Sequence, residues 1–168
     1  MNYKFTSTKE FKEVGPVAYR QWRAQSHCSL IHGYAMSFKL YFGSNELDAR
    51  NWVMDFGGLR PIRDFITDMF DHTLLVATDD PHYADIHKLH ALGIAKVRDV
   101  SATGCEAIAD MLYKYINDIF LPNCGSEEAA RIWCYKVEVR ETGANAGFRE
   151  GHRADQEDLC TDVRGMPL

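Results

Sequence analysis

The spacing of hydrophobic and polar positions changes period along this chain, and each change predicts an element. In residues 32–42, His32, Tyr34, Met36, Phe38, Leu40 and Phe42 fall on one side of an extended chain, and Ala35, Ser37, Lys39 and Tyr41 on the other. This predicts one strand in which His32 and Tyr34 share a face. After the turn-like GSNELDARN, residues 51–56 (NWVMDF) read as a second strand beside the first, ended by Gly57 and Gly58. Leu59, Ile62, Phe65, Ile66, Met69 and Phe70 then recur at helical spacing, with Pro61 tolerated in the first turn.

DHTLLV follows, and then a polar stretch up to residue 100 that predicts a short surface helix and one further strand. Thr103 and Glu106 have the spacing of a capping box, opening a helix that buries Ile108, Met111, Leu112, Tyr115 and Ile119. Pro122, Asn123 and Gly125 break it. RIWCYKVEVRE alternates again, with Trp133, Tyr135, Val137, Val139 and Glu141 on one face, so an acid ends an apolar row. From about residue 143 the chain turns polar and glycine-containing, which predicts a loosely ordered tail. With a further strand near the N-terminus, the pattern is α+β: two helices covering one face of an antiparallel sheet. No repeat or long linker divides it, so residues 1–168 are expected to form one domain.

Composition narrows the partners. A chain of 168 residues, 46% hydrophobic and 12% aromatic, suffices for one core. A net charge of -5 and a pI near 5.8 argue against a nucleic-acid partner. MNYKFTSTKEFKE carries charges throughout and reads as neither signal peptide nor membrane span, so a cytoplasmic protein with no membrane partner is expected. Five cysteines, odd in number and without a CxxC pair, fit reduced thiols better than a disulfide framework or a zinc knuckle.

Cys28, His32, the pair Asp71–His72 and Glu141 sit at predicted element ends, where polar groups escape the core. A thiol acts as base or nucleophile once ionised, a carboxylate fixes the tautomer of an adjacent imidazole, and a lone acid accepts two parallel N–H bonds. Together they suggest proton transfer on a nitrogen heterocycle. Singly, each has a plainer reading: a packed cysteine, a helix-end cap, and a pairing of Glu141 with Arg140, Arg149 or a neighbouring chain. His82, His87 and His90 look metal-like, but His87 and His90 are only three apart on the predicted helix with no fourth ligand, and they read as surface residues.

The ordered combination resembles the 6-pyruvoyl-tetrahydropterin synthase and 6-carboxy-tetrahydropterin synthase family. The residues that carry the resemblance are Cys28-Ser-Leu-Ile-His32-Gly33-Tyr34, Asp55-Phe56, Asp71-His72-Thr-Leu-Leu75, Thr103-Gly-Cys-Glu106 and Glu141-Thr142, in the family's order. The resemblance implies the tunnelling fold, an antiparallel sheet with two helices packed on one face, closed into an oligomeric barrel. It also implies a homo-oligomer, hexamer or tetramer, with sites between subunits and a small-molecule pterin substrate. By the same resemblance Cys28 is the proton-abstracting thiolate, Asp71 and His72 relay protons, Glu141 grips the pterin's amidine-like edge, and Thr103 assists the ring. Cys28 set four before His32 favours the carboxy branch: a 6-carboxy-5,6,7,8-tetrahydropterin synthase-like carbon–carbon or carbon–oxygen lyase acting on 7,8-dihydroneopterin triphosphate in 7-deazaguanine (preQ0/queuosine) synthesis. The alternatives are another pterin side-chain reaction, pyruvoyl-forming or aldolase-like, and a non-catalytic pterin- or purine-binding module.

One part of the family pattern is broken. Members bind zinc through three histidines, and here two of the three positions hold Tyr19 and Tyr34, leaving His32. His27 as a substitute ligand, a site completed by tyrosine oxygens, and a metal-free site with Tyr19 and Tyr34 bonding the substrate diol are the three expectations, with a weakened or absent zinc site favoured. Arg20 and Arg23, flanking Trp22, are expected to meet the triphosphate.

Overall fold

The computed structural model describes residues 3–153. Two four-stranded sheets share one chain. The first is antiparallel and runs β1 (Phe5–Phe11), β4 (Ser37–Ser44), β7 (Trp133–Arg140), β8 (Ala146–Glu150). The second runs β3 (His32–Ala35), β2 (Pro16–Tyr19), β5 (Thr73–Ala77), β6 (Lys96–Val100); β3 is antiparallel to β2, whereas β2, β5 and β6 are parallel. This mixed sheet is an addition to the single antiparallel sheet expected.

The alternation across residues 32–42 holds, but the strand does not. Ala35 pairs with Pro16 in the second sheet and Ser37 with Arg140 in the first, so the chain changes sheets at the fully buried Met36. A period-2 pattern survives such a step because the same side keeps facing the core.

The main core lies between the antiparallel sheet and the helices α1 (Arg60–Phe70) and α3 (Cys105–Lys114). Ile62, Ile66 and Phe70 form the buried stripe of α1, at the predicted spacing, and the Phe70 ring lies 4.7 Å from that of Phe38. β5 is buried on both faces: Leu75 enters the main core, while Leu74 and Val76 join a small cluster with Val97 and Ile86 of α2 (Tyr83–Ala91). The predicted surface helix and strand between 77 and 100 are thus α2 and β6.

Four other expectations are corrected. Residues 51–56 are a loop, because the Asp48 carboxylate accepts from the backbone N–H groups of Arg50 and Trp52 and holds a turn, while Val53 and Met54 bury without a ladder. The capping box does not form: the Thr103 hydroxyl donates to the Arg20 carbonyl, and Gly104 occupies the cap of α3. The helix after Lys114 continues as a π-helical segment, Tyr115–Phe120, that leaves Ile119 55% exposed and Met111 and Tyr115 only partly buried. Here the buried Asn117 side chain bonds the Tyr113 carbonyl and both backbone groups of Cys134, fastening the segment to β7. A short helix α4 (Ser126–Arg131) follows. Finally, the polar region after 143 contains β8, and its remainder from 154 lies outside the described residues.

Two close fits matter for the site. In β7 a bulge makes Tyr135 the extra residue between the pairs Phe42–Cys134 and Tyr41–Lys136, so Cys134 and Val137 both face the core. Gly147 of β8 lies against the start of α3, where an added Cβ would stand 2.6 Å from that of Cys105, so β8 and α3 meet at this distance only with glycine there.

Candidate functional site

β2 and β3 run antiparallel with Tyr19 directly opposite His32, and Tyr34 lies two residues further along β3 on the same face. Their three rings cluster: Tyr19 to His32 5.2 Å, His32 to Tyr34 5.5 Å and Tyr19 to Tyr34 6.3 Å between centroids. The predicted sharing of a face therefore holds, and the tyrosine of β2 joins it.

Glu141 reaches this cluster from the other sheet. It follows the last residue of β7, its N–H donates to the Asn145 carbonyl at 3.3 Å across the β7–β8 turn, and its carboxylate accepts a hydrogen bond from the Tyr19 hydroxyl. Tyr19 is fully buried, and burial followed by the bond to Glu141 raises its pKa above the ordinary phenol value, so it is a neutral donor. The Tyr34 pKa is also raised, by burial and then by the charges of Glu141 and Cys28. Cys105, at the head of α3, has its thiol pushed up to about 12, chiefly by burial and then by Glu141. The place of the glutamate at the end of the last long strand was legible in the sequence; its bond to Tyr19, between residues 122 apart, was not, and no local pattern carries it.

Cys28 lies at the rim, half-buried in a 3-10 turn, His27–Ser29, that is capped by Ser26 and tied to the end of β2 by the Gln21 N–H to the Cys28 carbonyl at 2.9 Å. A charge on Cys28 is one of the lesser causes that raise the Tyr34 pKa, after burial and Glu141. His27 is exposed on the same turn. The Nδ1 of His32 stands 2.7 Å from the Leu30 carbonyl, leaving Nε2 for a ligand.

Asp71 and His72 form the expected pair, Oδ1 to Nδ1 at 2.7 Å, in the turn between α1 and β5. They stand at the other end of β2. Thr73 pairs with Val17, and Asp71 Oδ1 lies 1.8 Å from where a Cβ on Gly15 would be, so glycine at φ +34° makes room for the carboxylate. At about 3.3 Å per residue, Gly15 and Tyr19 are about 13 Å apart. Within one chain the dyad and the Tyr19–His32–Glu141 cluster are therefore separated.

Arg20 and Arg23 are engaged with acids. Arg20 Nε is 3.4 Å from the Asp80 carboxylate, and Arg23, stacked 4.1 Å over the Trp22 ring, pairs with Asp79, which also accepts from the Trp22 indole N–H at 3.1 Å. These residues and Thr103 follow the C-terminal ends of the parallel strands β2, β5 and β6, the usual ligand side of parallel sheets. A cleft of about 340 Å³ opens there, lined by Gln21, Trp22, Arg23, Ala77, Ala102 and Thr103 among others.

The donor set does not fit a three-histidine zinc site. His32 offers one nitrogen, and its two neighbours are phenols held protonated, one of them committed to Glu141. Among the described residues no group of three or more His, Cys, Asp or Glu side chains stands where it could hold a metal. The helix histidines are engaged separately: His87 with Asp99 at 2.8 Å, His82 with Asp85 at 3.3 Å and His90 with the Ala95 carbonyl at 3.1 Å. No helix among the described residues is long and apolar enough to cross a membrane.

The fold is similar to that of an uncharacterized protein from Wolinella succinogenes, with a TM-score of 0.72 and 20% identity over 88% of this chain and 98% of that one. It is also similar to the 6-pyruvoyl tetrahydropterin synthases of Caenorhabditis elegans (TM-score 0.57, 17% identity, 90% and 100% covered) and Plasmodium falciparum (TM-score 0.61, 10% identity, 90% and 99% covered). No curated protein matches the sequence. The family model for 6-pyruvoyl tetrahydropterin synthase matches residues 9–151, nearly the whole described chain, and the protein belongs to that family.

Proposed function

We propose that the protein is a pterin side-chain lyase of the 6-carboxy-tetrahydropterin synthase type, working without zinc. The observation that carries this reading is the meeting of Glu141, Tyr19, His32 and Tyr34 from two sheets, with Cys28 at its rim. Glu141 accepts the two parallel N–H groups of the pterin ring, and the Cys28 thiolate takes a proton from the side-chain carbon next to it. Asp71 and His72, about a strand's length away in the same chain, serve the site of a neighbouring chain in a homo-oligomer and return the proton there. Tyr34, a neutral phenol beside His32, donates to the substrate's side-chain hydroxyls. Thr103 lines the approach.

A second reading concerns the substrate's tail. Arg20 and Arg23 are already neutralised by Asp80 and Asp79, which favours an unphosphorylated 7,8-dihydroneopterin cleaved in aldolase fashion over the triphosphate. One experiment tests both: incubate the protein with each compound, with added zinc or with a chelator, and follow products by mass spectrometry. A 6-carboxy-tetrahydropterin product from the triphosphate, unaffected by the chelator and lost in Cys28→Ala, supports the first reading. Cleavage of the unphosphorylated compound alone supports the second, and strict zinc dependence overturns the metal-free site.

A further inference from the structure

Glu141 is held at three points. Its backbone closes the β7–β8 turn through the Asn145 carbonyl and also meets Cys105 at the head of α3, and its carboxylate accepts from Tyr19. The third point belongs to a different sheet. Tyr19 ends β2, is fully buried against His32, and spans the gap between the two layers with its hydroxyl. A carboxylate has about four lone-pair positions on two oxygens. A fixed donor on one of them selects one rotation of the group and leaves the other oxygen, with the remaining lobe of the first, facing a ligand.

We infer that Tyr19 is a positioning residue that sets the rotation of the Glu141 carboxylate, so that the site selects heterocycles presenting two adjacent N–H donors over rings that present a donor beside a carbonyl. The inference rests on the reading of Glu141 as the ring anchor and adds the group that orients it. In the family pattern this position supplies a metal ligand; in this chain it supplies a neutral phenol aimed at the anchor.

The test uses two ligands that differ in one group, pterin with its 2-amino N–H and lumazine with a 2-carbonyl, and measures Kd by ligand fluorescence with the full-length protein. Wild type prefers pterin. Tyr19→Phe keeps the ring but removes the donor, and weakens pterin about tenfold, the size of one charge-assisted hydrogen bond, with lumazine little changed, so the selectivity ratio falls. A loss of packing alone would weaken both ligands together. Glu141→Gln supplies the second variant: Tyr19 donates to the amide oxygen, the amide nitrogen faces the ligand, and lumazine becomes the preferred ring. In the double variant Tyr19→Phe with Glu141→Gln the amide is free to turn and that reversal disappears.

Unaltered affinity and selectivity in Tyr19→Phe, with binding still lost or reversed in Glu141→Gln, would overturn the positioning role and leave the anchor standing. Pterin binding that is indifferent to Glu141→Gln would overturn both.

Discussion

The two ends of β2 hold the Tyr19–His32–Glu141 cluster and the Asp71–His72 pair in opposite environments. At the Tyr19 end the phenol is fully buried, the rings pack within 5.2–6.3 Å, and the carboxylate of Glu141 arrives from another sheet. At the Gly15 end the Asp71–His72 pair projects outward, with side chains 38% and 78% exposed. The buried end is organised by this chain's own layers, whereas at the exposed end the geometry is set by Gly15 and the Asp71–His72 bond while the His72 ring stands open to solvent. A dyad ordered in that way and open to solvent is suited to complete a surface supplied by another copy.

The sharpest way to break this comparison is to disable each end separately. Cys28→Ala and His72→Ala should each lower turnover by on the order of 10²–10⁴-fold, as loss of an acid–base group does. Mixed oligomers of the two variants should regain activity at roughly a quarter of their sites by random pairing, since one site then draws an intact group from each chain. If co-expressed variants recover nothing, the ends do not serve one site.

A substitution at the boundary should separate stability from binding. Gly15→Ala forces a left-handed conformation on alanine and drives its Cβ into Asp71, which should cost about 1–3 kcal/mol in denaturant titration and displace the dyad. Pterin affinity at the Tyr19 end should be unchanged. A parallel loss of affinity would show the two ends to be coupled within one chain.

The buried end should also report itself through pH. The Cys105 thiol ionises near 9 when unfolded and is pushed to about 12 in the fold, so between those values the folded chain holds a proton that the unfolded chain has lost. Stability is therefore full below about pH 9 and falls as pH rises towards 12. Cys134, also pushed up to about 12 by burial, acts in the same sense. Melting temperatures measured across this range should fall less steeply in Cys105→Ala, and an unchanged slope would contradict the assignment. The smallest effect belongs to an exposed bond that joins α2 to β6. Tyr83→Phe removes a 2.6 Å bond to the exposed Asp99 and should shift stability by less than about 0.5 kcal/mol, with turnover intact.

The sequence made legible those features that local spacing encodes. The stripe of α1 depends on side-chain period, and the structure has it; the expected single-face row through Tyr135 does not hold, because the bulge puts Cys134 and Val137 on the core side together, although Glu141 still follows the end of β7. What escaped depends on distant partners. β8 lacks alternation, and its place is set by Gly147 fitting against Cys105; the π-helical segment is set by Asn117 bonding Cys134; and Thr103 is drawn from its cap by the Arg20 carbonyl. At the site, Asp71 and His72 are neighbours in sequence, and their pairing was readable. Tyr19 and Glu141 meet only after two sheets have formed.

The passage from β3 in one sheet to β4 in the other takes a single residue, Met36, which is buried without exposure to solvent. A crossing that short has no slack for a hinge. On the proposed reading, a ligand at the Tyr19 cluster meets a stiff frame here, and any adjustment to it falls to side chains rather than to this crossing.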